Sequence, residues 1–241
     1  MDGQGRADMV RRFFSGTGST YDHIVNVTTL GFDGRWKEKI VEKIPARSMR
    51  IMDQACGTGI LTLKIARKYP HAEVTGVDVT EEYLRIAKER VKESGLRNVE
   101  LILGRAEDIV PRGGWDCVTS SYLAKYADLD RLVLNIGTML RPGGAVIMHD
   151  FTYPPNRTFA RFWGLYFILL QTAGARRYPA WKPAFDGLPG LIRETDWVER
   201  LQRLLKEQNF TGLTVEPLTF GTSAIIAAVL PGNRAIIQES R

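Results

Sequence analysis

The chain has 241 residues, of which 44% are hydrophobic and 25% are charged, and its net charge is +6. This length fits one large domain, and the composition is that of an ordinary globular protein rather than a disordered chain. Lysine and arginine are scattered among aspartate and glutamate instead of forming one basic block, so nucleic acid is not an expected partner.

The first predicted element is an N-terminal helical appendage, residues 1–48. Its residues 10–44 are predicted to be helical pieces interrupted by Gly16, Gly18, Gly31 and Gly34. From residue 50 onward, the periodicities of strand and helix alternate. The predicted strands are 50–54, 73–78, 99–103, 115–120, 144–150, 212–216 and 223–230, and the predicted helices are 59–69, 80–94, 129–140 and 197–208.

This alternation predicts a doubly wound α/β fold, in which helices cover both faces of a mostly parallel, seven-stranded sheet. Residues 152–192 interrupt the alternation with an aromatic and basic stretch, which we predict to be a lid inserted into a single domain, 1–241.

The inserted stretch has aromatic residues at helical spacing, and two interpretations stay open. The helix could be an amphipathic one that faces the core. Alternatively, it could be an apolar lid that admits a prenyl tail and rests its arginines on anionic lipid headgroups. The residues concerned are Phe159, Phe162, Trp163, Tyr166, Phe167 and Leu170, flanked by Arg157, Arg161, Arg176 and Arg177.

The cysteines and apolar runs indicate the compartment. Cys56 and Cys117 lie in separate segments and neither belongs to a CxxC pair, so neither a disulfide framework nor a metal site is expected. The first residues lack the apolar region of a signal peptide, and the longest apolar run, 162–170, is far shorter than the roughly 20 residues that span a bilayer. We therefore expect a cytoplasmic protein, with a peripheral membrane contact left open.

The segment from Asp53 to Gly59, Asp-Gln-Ala-Cys-Gly-Thr-Gly, lies where the first strand turns into the first helix of the sheet. Its two glycines allow the backbone to approach a ligand, and the helix N-terminus favours an anionic group. Nineteen residues past Gly59, Asp78 ends the second strand, where a carboxylate can accept both hydroxyls of an adenosine ribose. The pair of features predicts a cofactor that contains adenosine. The alternative is that the glycines form only a turn and that Asp78 only caps the next helix.

Three further features of the sequence bear on this prediction. The dinucleotide fingerprint requires a third glycine, and Thr62 occupies that position, which disfavours a nicotinamide cofactor. Ser120 and Ser121 end the fourth strand, where ligands of such sheets bind. Glu107 and Asp108 follow the third strand, either as a solvated pair or as the adenine-side wall.

The acidic Asp53, together with a Leu-Arg-Pro-Gly-Gly turn (residues 140–144) before the strand that ends at Asp150, resembles the S-adenosylmethionine methyltransferases of the seven-stranded, Rossmann-like type. More specifically, residues 21–37 and 141–152 resemble the two signatures of the ubiquinone and menaquinone biosynthesis C-methyltransferases. The residues that carry the resemblance are Tyr21, Asp22, Thr29, Gly31, Trp36 and Lys37, then Arg141 to Gly144 with Asp150, Phe151 and Thr152, and also Trp115 to Thr119, Ile192, Arg193, Phe220 and Gly221.

The resemblance covers nearly the whole chain and implies S-adenosylmethionine as the cofactor. It implies that Thr58, Asp78, the pair Arg105-Ala106 and Ser121 line this cofactor and that Tyr21 closes over its methionine end. The full predicted cofactor-binding set is Tyr21, Asp53, Gly57, Thr58, Gly59, Asp78, Val79, Arg105, Ala106, Glu107, Ser120 and Ser121. The chain departs from the family pattern at Val25, Asp33 and Arg105. It departs also at the substrate-side Arg-Asn pair, which is Lys125-Tyr126 here.

The sulfonium methyl is already activated, so such an enzyme chiefly aligns an electron-rich acceptor with it and excludes water. If the acceptor is a ring carbon of a quinol, a general base must remove a hydroxyl proton. The predicted candidates near the strand ends are His149, Asp150, Tyr126 and Tyr153, to which we add Lys125. His149 is the first of them, and a packed strand histidine is the alternative interpretation.

The leading hypothesis is therefore an enzyme that methylates a carbon of a demethylated menaquinol or ubiquinol precursor. The alternatives are methylation of a phospholipid amine or small phenol, a non-catalytic S-adenosylmethionine-binding protein and, more distantly, a nicotinamide dehydrogenase. The expected partner is a small-molecule acceptor, a lipid quinol among the candidates, and a homodimer is left open.

Overall fold

The computed structural model describes residues 3–110 and 114–232, so the ends of the predicted domain and residues 111–113 lie outside the described residues. Its seven strands form one sheet in the order β3-β2-β1-β4-β5-β7-β6. The strands are β1 (Arg50–Gln54), β2 (Glu73–Asp78), β3 (Val99–Leu103), β4 (Trp115–Ser121), β5 (Leu140–Phe151), β6 (Thr211–Leu218) and β7 (Ser223–Val229). β7 runs antiparallel to both of its neighbours, β5 and β6, and the remaining strand pairs of this sheet are parallel. The prediction of a doubly wound, mostly parallel, seven-stranded sheet is confirmed.

Ten α-helices are present in the described ranges. They are α1 (Gly3–Phe14), α2 (Tyr21–Thr28), α3 (Phe32–Lys43), α4 (Ile60–Lys68), α5 (Glu81–Ser94), α6 (Leu129–Met139), α7 (Arg157–Leu169), α8 (Ala175–Arg177), α9 (Lys182–Glu194) and α10 (Trp197–Glu207). No helix in the described ranges combines the length and the apolar character that crossing a membrane requires.

The sheet is buried on both faces because its parallel strands are joined by helices that cross from one edge to the next. Alternate residues of β5 show the two cores. Met148 packs in an apolar cluster with residues of α6 and α10, whereas Ile147 packs in a second cluster with residues of α3 and α4. This two-sided burial explains why every residue of β4 is buried and why its sequence lacks a polar-apolar alternation.

Helices α1 and α2 of the appendage pack on the inserted stretch 152–192, whereas α3 packs on the sheet. Phe13 of α1, Ile24 of α2 and Phe185 of α9 belong to a third apolar cluster that also contains Trp181 and Tyr126. The two segments together cover the side of the sheet where the strands end. Whether the stretch 152–192 opens as a lid stays a prediction.

Some predicted boundaries are wrong for identifiable reasons. The first helix begins at Gly3, before the predicted residue 10, and Gly34 lies inside α3 instead of interrupting it. Burial of the α3 face that carries Trp36 and Ile40 outweighs the roughly 1 kcal/mol that a helical glycine costs.

The Leu-Arg-Pro-Gly-Gly turn is part of β5 instead of preceding it. Leu140 pairs with Trp115 and Ala145 pairs with Cys117, so residues 141–144 bulge out of the ladder. Gly143 has φ +83°, a conformation that favours glycine.

Candidate active site

The loop between β1 and α4 is held against β2 by its own backbone. The Cys56 N–H donates to the Val77 carbonyl at 2.9 Å, and the Gly57 N–H donates to Asp78 Oδ2 at 2.9 Å. Gly57 has φ +57° and Gly59 has φ +86°. A Cβ on Gly59 would lie 3.2 Å from Ala87 Cβ, so this glycine serves the close packing of α5 on the loop.

Asp78 holds the turn after β2 through its carboxylate, and its contact with a cofactor stays a prediction. Oδ1 accepts from the Thr80 N–H at 2.8 Å while Oδ2 accepts from Gly57, so the carboxylate joins the turn after β2 to the glycine loop. Its burial raises the pKa of the carboxyl. Each oxygen retains a second lone pair, and the side chain lies in the wall of a cavity, so Asp78 can also accept hydrogen bonds from a ligand.

We call this space the first cavity. It lies along the carboxyl ends of β1, β2, β3 and β4, as ligand sites of doubly wound sheets do. Of the predicted cofactor-binding set, the residues in its wall are Tyr21, Gly57, Asp78, Val79, Arg105, Ala106, Glu107 and Ser121. Glu107 lies in this wall and Asp108 does not, and Glu107 Oε1 accepts from the Asp128 N–H at 3.0 Å.

The other four members of the predicted set lie outside this wall. They are Asp53, Thr58, Gly59 and Ser120. Asp53 is buried beneath the loop, where Oδ2 accepts from Thr62 Oγ1 at 2.6 Å and Oδ1 accepts from Thr119 Oγ1 at 3.2 Å. Thr58 Oγ1 donates to Asp22 Oδ1 at 2.6 Å and so ties the loop to α2. These residues hold the loop in shape, and their contact with a cofactor stays a prediction.

The buried Asp53 makes stability depend on pH. Burial raises the pKa of its carboxyl to about 7, well above the unfolded value, so the folded chain binds the proton more tightly and the free energy of unfolding falls as pH rises from about 4 to about 7. Relative to an Asp53→Asn variant, the wild-type protein is expected to lose about 2 kcal/mol of stability between pH 5 and pH 7. Urea unfolding of both proteins without ligand at the two pH values measures this, and a stability difference that does not change with pH would contradict it.

A second cavity of about 390 Å³ adjoins the first one. Its wall is almost entirely apolar, and Lys125 is the only charged side chain among the described residues that line it. The aromatic residues of this wall are Phe14, Tyr21, Phe32, Trp36, Tyr122, Tyr126, Phe151, Phe159, Phe162, Trp163, Tyr166, Phe167, Trp181, Phe185 and Phe220. Residues of α7 thus line a cavity instead of packing only into the core, and the contact of this helix with lipid stays a prediction.

Four of the described residues line both cavities: Phe14, Tyr21, Tyr122 and Tyr126. They mark the junction at which a group in the first cavity can meet a group in the second. Tyr126 Oη is buried and, within the described part of the chain, has no hydrogen-bond partner. A polar atom left in this state at a junction is available to a ligand.

Some of the candidate bases line a cavity and others do not. Lys125 lines the second cavity and forms a buried ion pair with Asp150, which itself lines neither cavity. Tyr153 also lies outside both walls, with its ring against Trp163 at a centroid distance of 5.4 Å. Of the predicted catalytic residues, Tyr126 and Lys125 are therefore the two that reach a cavity.

His149, our first candidate for the base, lies inside the core. It is fully buried, its Nδ1 is 3.0 Å from Ser121 Oγ, and its ring packs against Trp36 and Tyr122 at 5.3 and 5.1 Å. Burial lowers the pKa of this imidazole well below its usual range. Since His149 lines neither cavity, its placement favours the alternative interpretation of a packed strand histidine.

Tyr122, Tyr83 and Phe14 line the site but were not among the predicted residues. Tyr122 directly follows Ser121 at a strand end, so the strand-end rule extended by one position would have found it. Phe14 contacts the site from α1, and no local pattern in the sequence indicates this contact.

Comparison with known proteins agrees with this geometry. A model of the ubiE/COQ5 methyltransferase family matches residues 3–229. The demethylmenaquinone methyltransferase of Geobacillus kaustophilus (strain HTA426) is 25% identical over 226 residues, which cover 92% of this chain and 97% of that protein.

Solved structures share the fold at lower identity. The apo S-adenosylmethionine-dependent methyltransferase SibL has a TM-score of 0.61 and 17% identity over 84% of this chain, which spans 57% of SibL. Geranyl diphosphate C-methyltransferase from Streptomyces coelicolor A3(2), in complex with geranyl diphosphate and S-adenosyl-L-homocysteine, has a TM-score of 0.60 and 12% identity over 82% of this chain and 79% of its own.

The resemblance inferred from residues 21–37 and 141–152 is thereby confirmed, and so is the prediction of S-adenosylmethionine as cofactor. The family match spans nearly all of the strands and helices that build the two cavities. This chain belongs to the ubiE/COQ5 methyltransferase family and is an S-adenosylmethionine-dependent methyltransferase.

Proposed function

We propose that the protein methylates a ring carbon of a hydroxylated aromatic acceptor that carries an apolar tail, most specifically a demethylated menaquinol or ubiquinol precursor. The observation that carries this proposal is the aromatic cavity of about 390 Å³ that meets the cofactor cavity at Tyr21, Tyr122 and Tyr126. Such a wall matches a flat ring and a hydrocarbon tail, and it offers few polar partners to a small hydrophilic acceptor. The name of the Geobacillus relative points in the same direction.

The residues of the first cavity fit an adenosyl cofactor. Asp78 presents a buried carboxylate to ribose hydroxyls, Ala106 and Val79 offer apolar contact to a base, and Gly57 leaves room at the glycine loop. S-adenosylmethionine supplies an activated methyl group when bound. The cavity wall contains no clustered basic residues for a pyrophosphate, since Arg6 and Arg105 are its only cations among the described lining residues.

In this reaction the protein positions the acceptor and excludes water. Tyr126 Oη is free to donate a hydrogen bond to an acceptor oxygen at the junction. The Lys125 ammonium, held by Asp150, lies 4.6 Å from the centre of the Tyr126 ring and places positive charge where the acceptor oxygen becomes negative. Helices α1, α7 and α9 close the space around the ring and thereby exclude water.

The direct test is turnover of purified protein with S-adenosylmethionine and a demethylmenaquinol analogue that carries a short prenyl tail. We expect a product heavier by one methyl group with the methyl on carbon. Phosphoethanolamine and a small untailed phenol are the comparison acceptors. Faster methylation of either of these than of the tailed quinol would overturn the proposed acceptor.

We further propose a peripheral membrane contact at the mouth of the second cavity. Leu30, Phe162 and Phe220 line this cavity and yet are 74%, 65% and 77% exposed. Leu165 and Leu169 extend the exposed apolar surface along α7, and Arg157 and Arg161 lie exposed on the same helix. An apolar rim with flanking arginines at the entrance of an apolar cavity suits a surface that receives a lipid substrate from a bilayer.

Changing Leu165 and Leu169 together to glutamate should abolish binding to vesicles that contain anionic lipid, because it places two charges in the apolar rim. Turnover of a short-tailed, water-soluble acceptor should be retained, since neither residue lines a cavity. Leu134→Glu on α6, equally exposed but outside the rim, is the matched control for vesicle flotation. Unchanged flotation of the double variant would contradict the membrane contact, and a concentration-dependent dimer that the double variant loses would assign the rim to self-association.

A further inference from the structure

Tyr122, the residue that follows β4, has a strained backbone. Its φ is +66°, a conformation that is rare for an aromatic residue. The surrounding structure holds it there: the ring stacks on Phe151 with centroids 4.7 Å apart, and its N–H donates to the His149 carbonyl at 2.8 Å. Strain of this kind persists at sites where a side chain must point in a particular direction.

The strained conformation places the Tyr122 ring in the walls of both cavities and its hydroxyl on a carboxylate. Tyr122 Oη donates to Asp33 Oδ1 at 2.8 Å. A phenolic hydroxyl has one proton, and here that proton is committed to Asp33. Towards a ligand at the junction, the oxygen therefore offers only lone pairs. It can accept the proton of an acceptor hydroxyl, but it cannot donate to a carbonyl.

Asp33 is itself fixed in place. Lys37, one turn further along α3, forms a buried ion pair with it, and the Lys37 ammonium lies 5.0 Å from the centre of the Tyr122 ring. The Asp33 N–H donates to Thr29 Oγ1 at 3.3 Å. Tyr122, Asp33 and Lys37 thus form a connected series of groups that leads from the junction of the cavities into α3.

We propose that Tyr122 is a catalytic residue of the methyl transfer: it accepts the acceptor's hydroxyl proton while it passes its own proton to Asp33, which acts as the positioning residue. This inference rests on the proposed hydroxylated acceptor. The ring carbon gains electron density as its hydroxyl loses the proton, a bond forms between this carbon and the methyl carbon, and the S–CH₃ bond breaks with its electron pair left on sulfur.

The proton balance closes without a further reactant. After methylation, the ring carbon loses its hydrogen as a proton to water that enters as the products leave, and the acceptor oxygen recovers its proton from Asp33 through Tyr122. One proton is released per methyl transferred, as the loss of the sulfonium charge requires. Tyr126 lines the same junction but has no carboxylate on its hydroxyl among the described residues, so the relay is specific to Tyr122.

The test compares Tyr122→Phe with Tyr126→Phe in anaerobic turnover of a demethylmenaquinol analogue between pH 6.5 and pH 9. The titratable and charged groups that surround Tyr122 are Asp33, Lys37, Lys125, His149, Asp150 and Tyr21. All of them are retained in both variants. Tyr122→Phe keeps the ring that stacks on Phe151, so the fold is preserved, and thermal stabilisation by S-adenosylhomocysteine checks this for each variant.

For Tyr122→Phe at pH 7 we expect kcat to fall by about 10²- to 10⁴-fold. Because only acceptor that is already ionised can then react, its rate should rise about tenfold per pH unit relative to wild type. The deficit of Tyr126→Phe should not change with pH. Asp33→Asn, which can still accept the Tyr122 hydrogen bond but not its proton, should reproduce the pH dependence of Tyr122→Phe.

Equilibrium binding provides a second measurement that needs no turnover. With S-adenosylhomocysteine present, tryptophan fluorescence should show that wild type binds the quinol about fivefold more tightly than the quinone and that Tyr122→Phe loses this preference. If wild type is active but Tyr122→Phe has a parallel pH profile and keeps the preference, the relay is wrong and the proposed function stands. If wild type methylates no hydroxylated acceptor, the proposed function and the relay both fail.

Discussion

Replacing Asp78 by alanine is expected to weaken S-adenosylmethionine binding by at least about 100-fold, because hydrogen bonds to a charged acceptor contribute about 1.5–3 kcal/mol each and two ribose hydroxyls can use this carboxylate. The substitution also removes the acceptor of the Gly57 and Thr80 N–H groups, so the glycine loop loses its link to β2. Calorimetric titration with S-adenosylmethionine and S-adenosylhomocysteine measures the loss, and the ligand-induced rise of Tm should shrink accordingly.

Two variants control this experiment. Asp78→Asn keeps one acceptor oxygen and should lose less affinity than Asp78→Ala. Glu89→Ala changes an exposed carboxylate on α5 that pairs only with Arg85 among the interactions described, and should leave both ligands' binding unchanged. Full stabilisation of Asp78→Ala by either adenosyl ligand, or stabilisation of wild type by NAD(H), would contradict the assignment of the first cavity.

Replacing Lys125 by methionine is expected to destabilise the protein by about 3–5 kcal/mol, because it leaves the carboxylate of Asp150 buried without its cation. Lys125 and Asp150 are both essentially inaccessible to solvent. Among the described residues, Asp150 otherwise accepts only from the N–H groups of Lys125 and Phe151, at 3.1 and 2.7 Å. For a chain of this length such a loss lowers Tm by roughly 10 °C. Urea unfolding of wild type and variant at neutral pH measures it.

The double variant Lys125→Met with Asp150→Asn separates loss of the ion pair from loss of packing. Removing both charges eliminates the uncompensated buried carboxylate, so most of the lost stability should return. A double variant as unstable as Lys125→Met alone would show that the lysine stem, and not the pairing of charges, accounts for the effect. Burial lowers the pKa of the Lys125 ammonium, and the nearby Asp150 carboxylate opposes this shift. Turnover of the two variants also tests whether methyl transfer needs the ammonium.

The sheet could be predicted well from the sequence because the signal for each strand lies within a short stretch of residues. Each parallel strand is a short apolar run followed by a turn, and the alternation with helices leaves one class of fold. The carboxyl ends of such strands meet at one edge, so Gly57, Asp78 and Ser121 could be assigned to the same cavity from their positions in the chain alone. Even the errors at Gly34 and at residues 141–144 concern the boundaries of elements and not their existence.

The residues that line the second cavity could not be predicted in this way. The second cavity is built from α1, α2, α7 and α9 together with strand ends. Its wall contains residues as distant in the sequence as Phe14 and Phe220. Periodicity indicates that a helix has an apolar face, but it does not indicate whether that face meets the core, a cavity or a membrane. The aromatic residues of α7 left these interpretations open until their neighbours were known.

By itself, the sequence determined the class of fold through its local periodicity, and the spacing of Gly57, Gly59 and Asp78 indicated a cofactor that contains adenosine. The resemblance of residues 21–37 and 141–152 to a known family then implied S-adenosylmethionine. Only the tertiary structure decided which groups face the acceptor. It buried His149 in the core and brought Asp33 to the Tyr122 hydroxyl across 89 positions of the chain. The physical reason is that a side chain's reactivity depends on its burial and on the groups packed against it, and those neighbours come from distant segments.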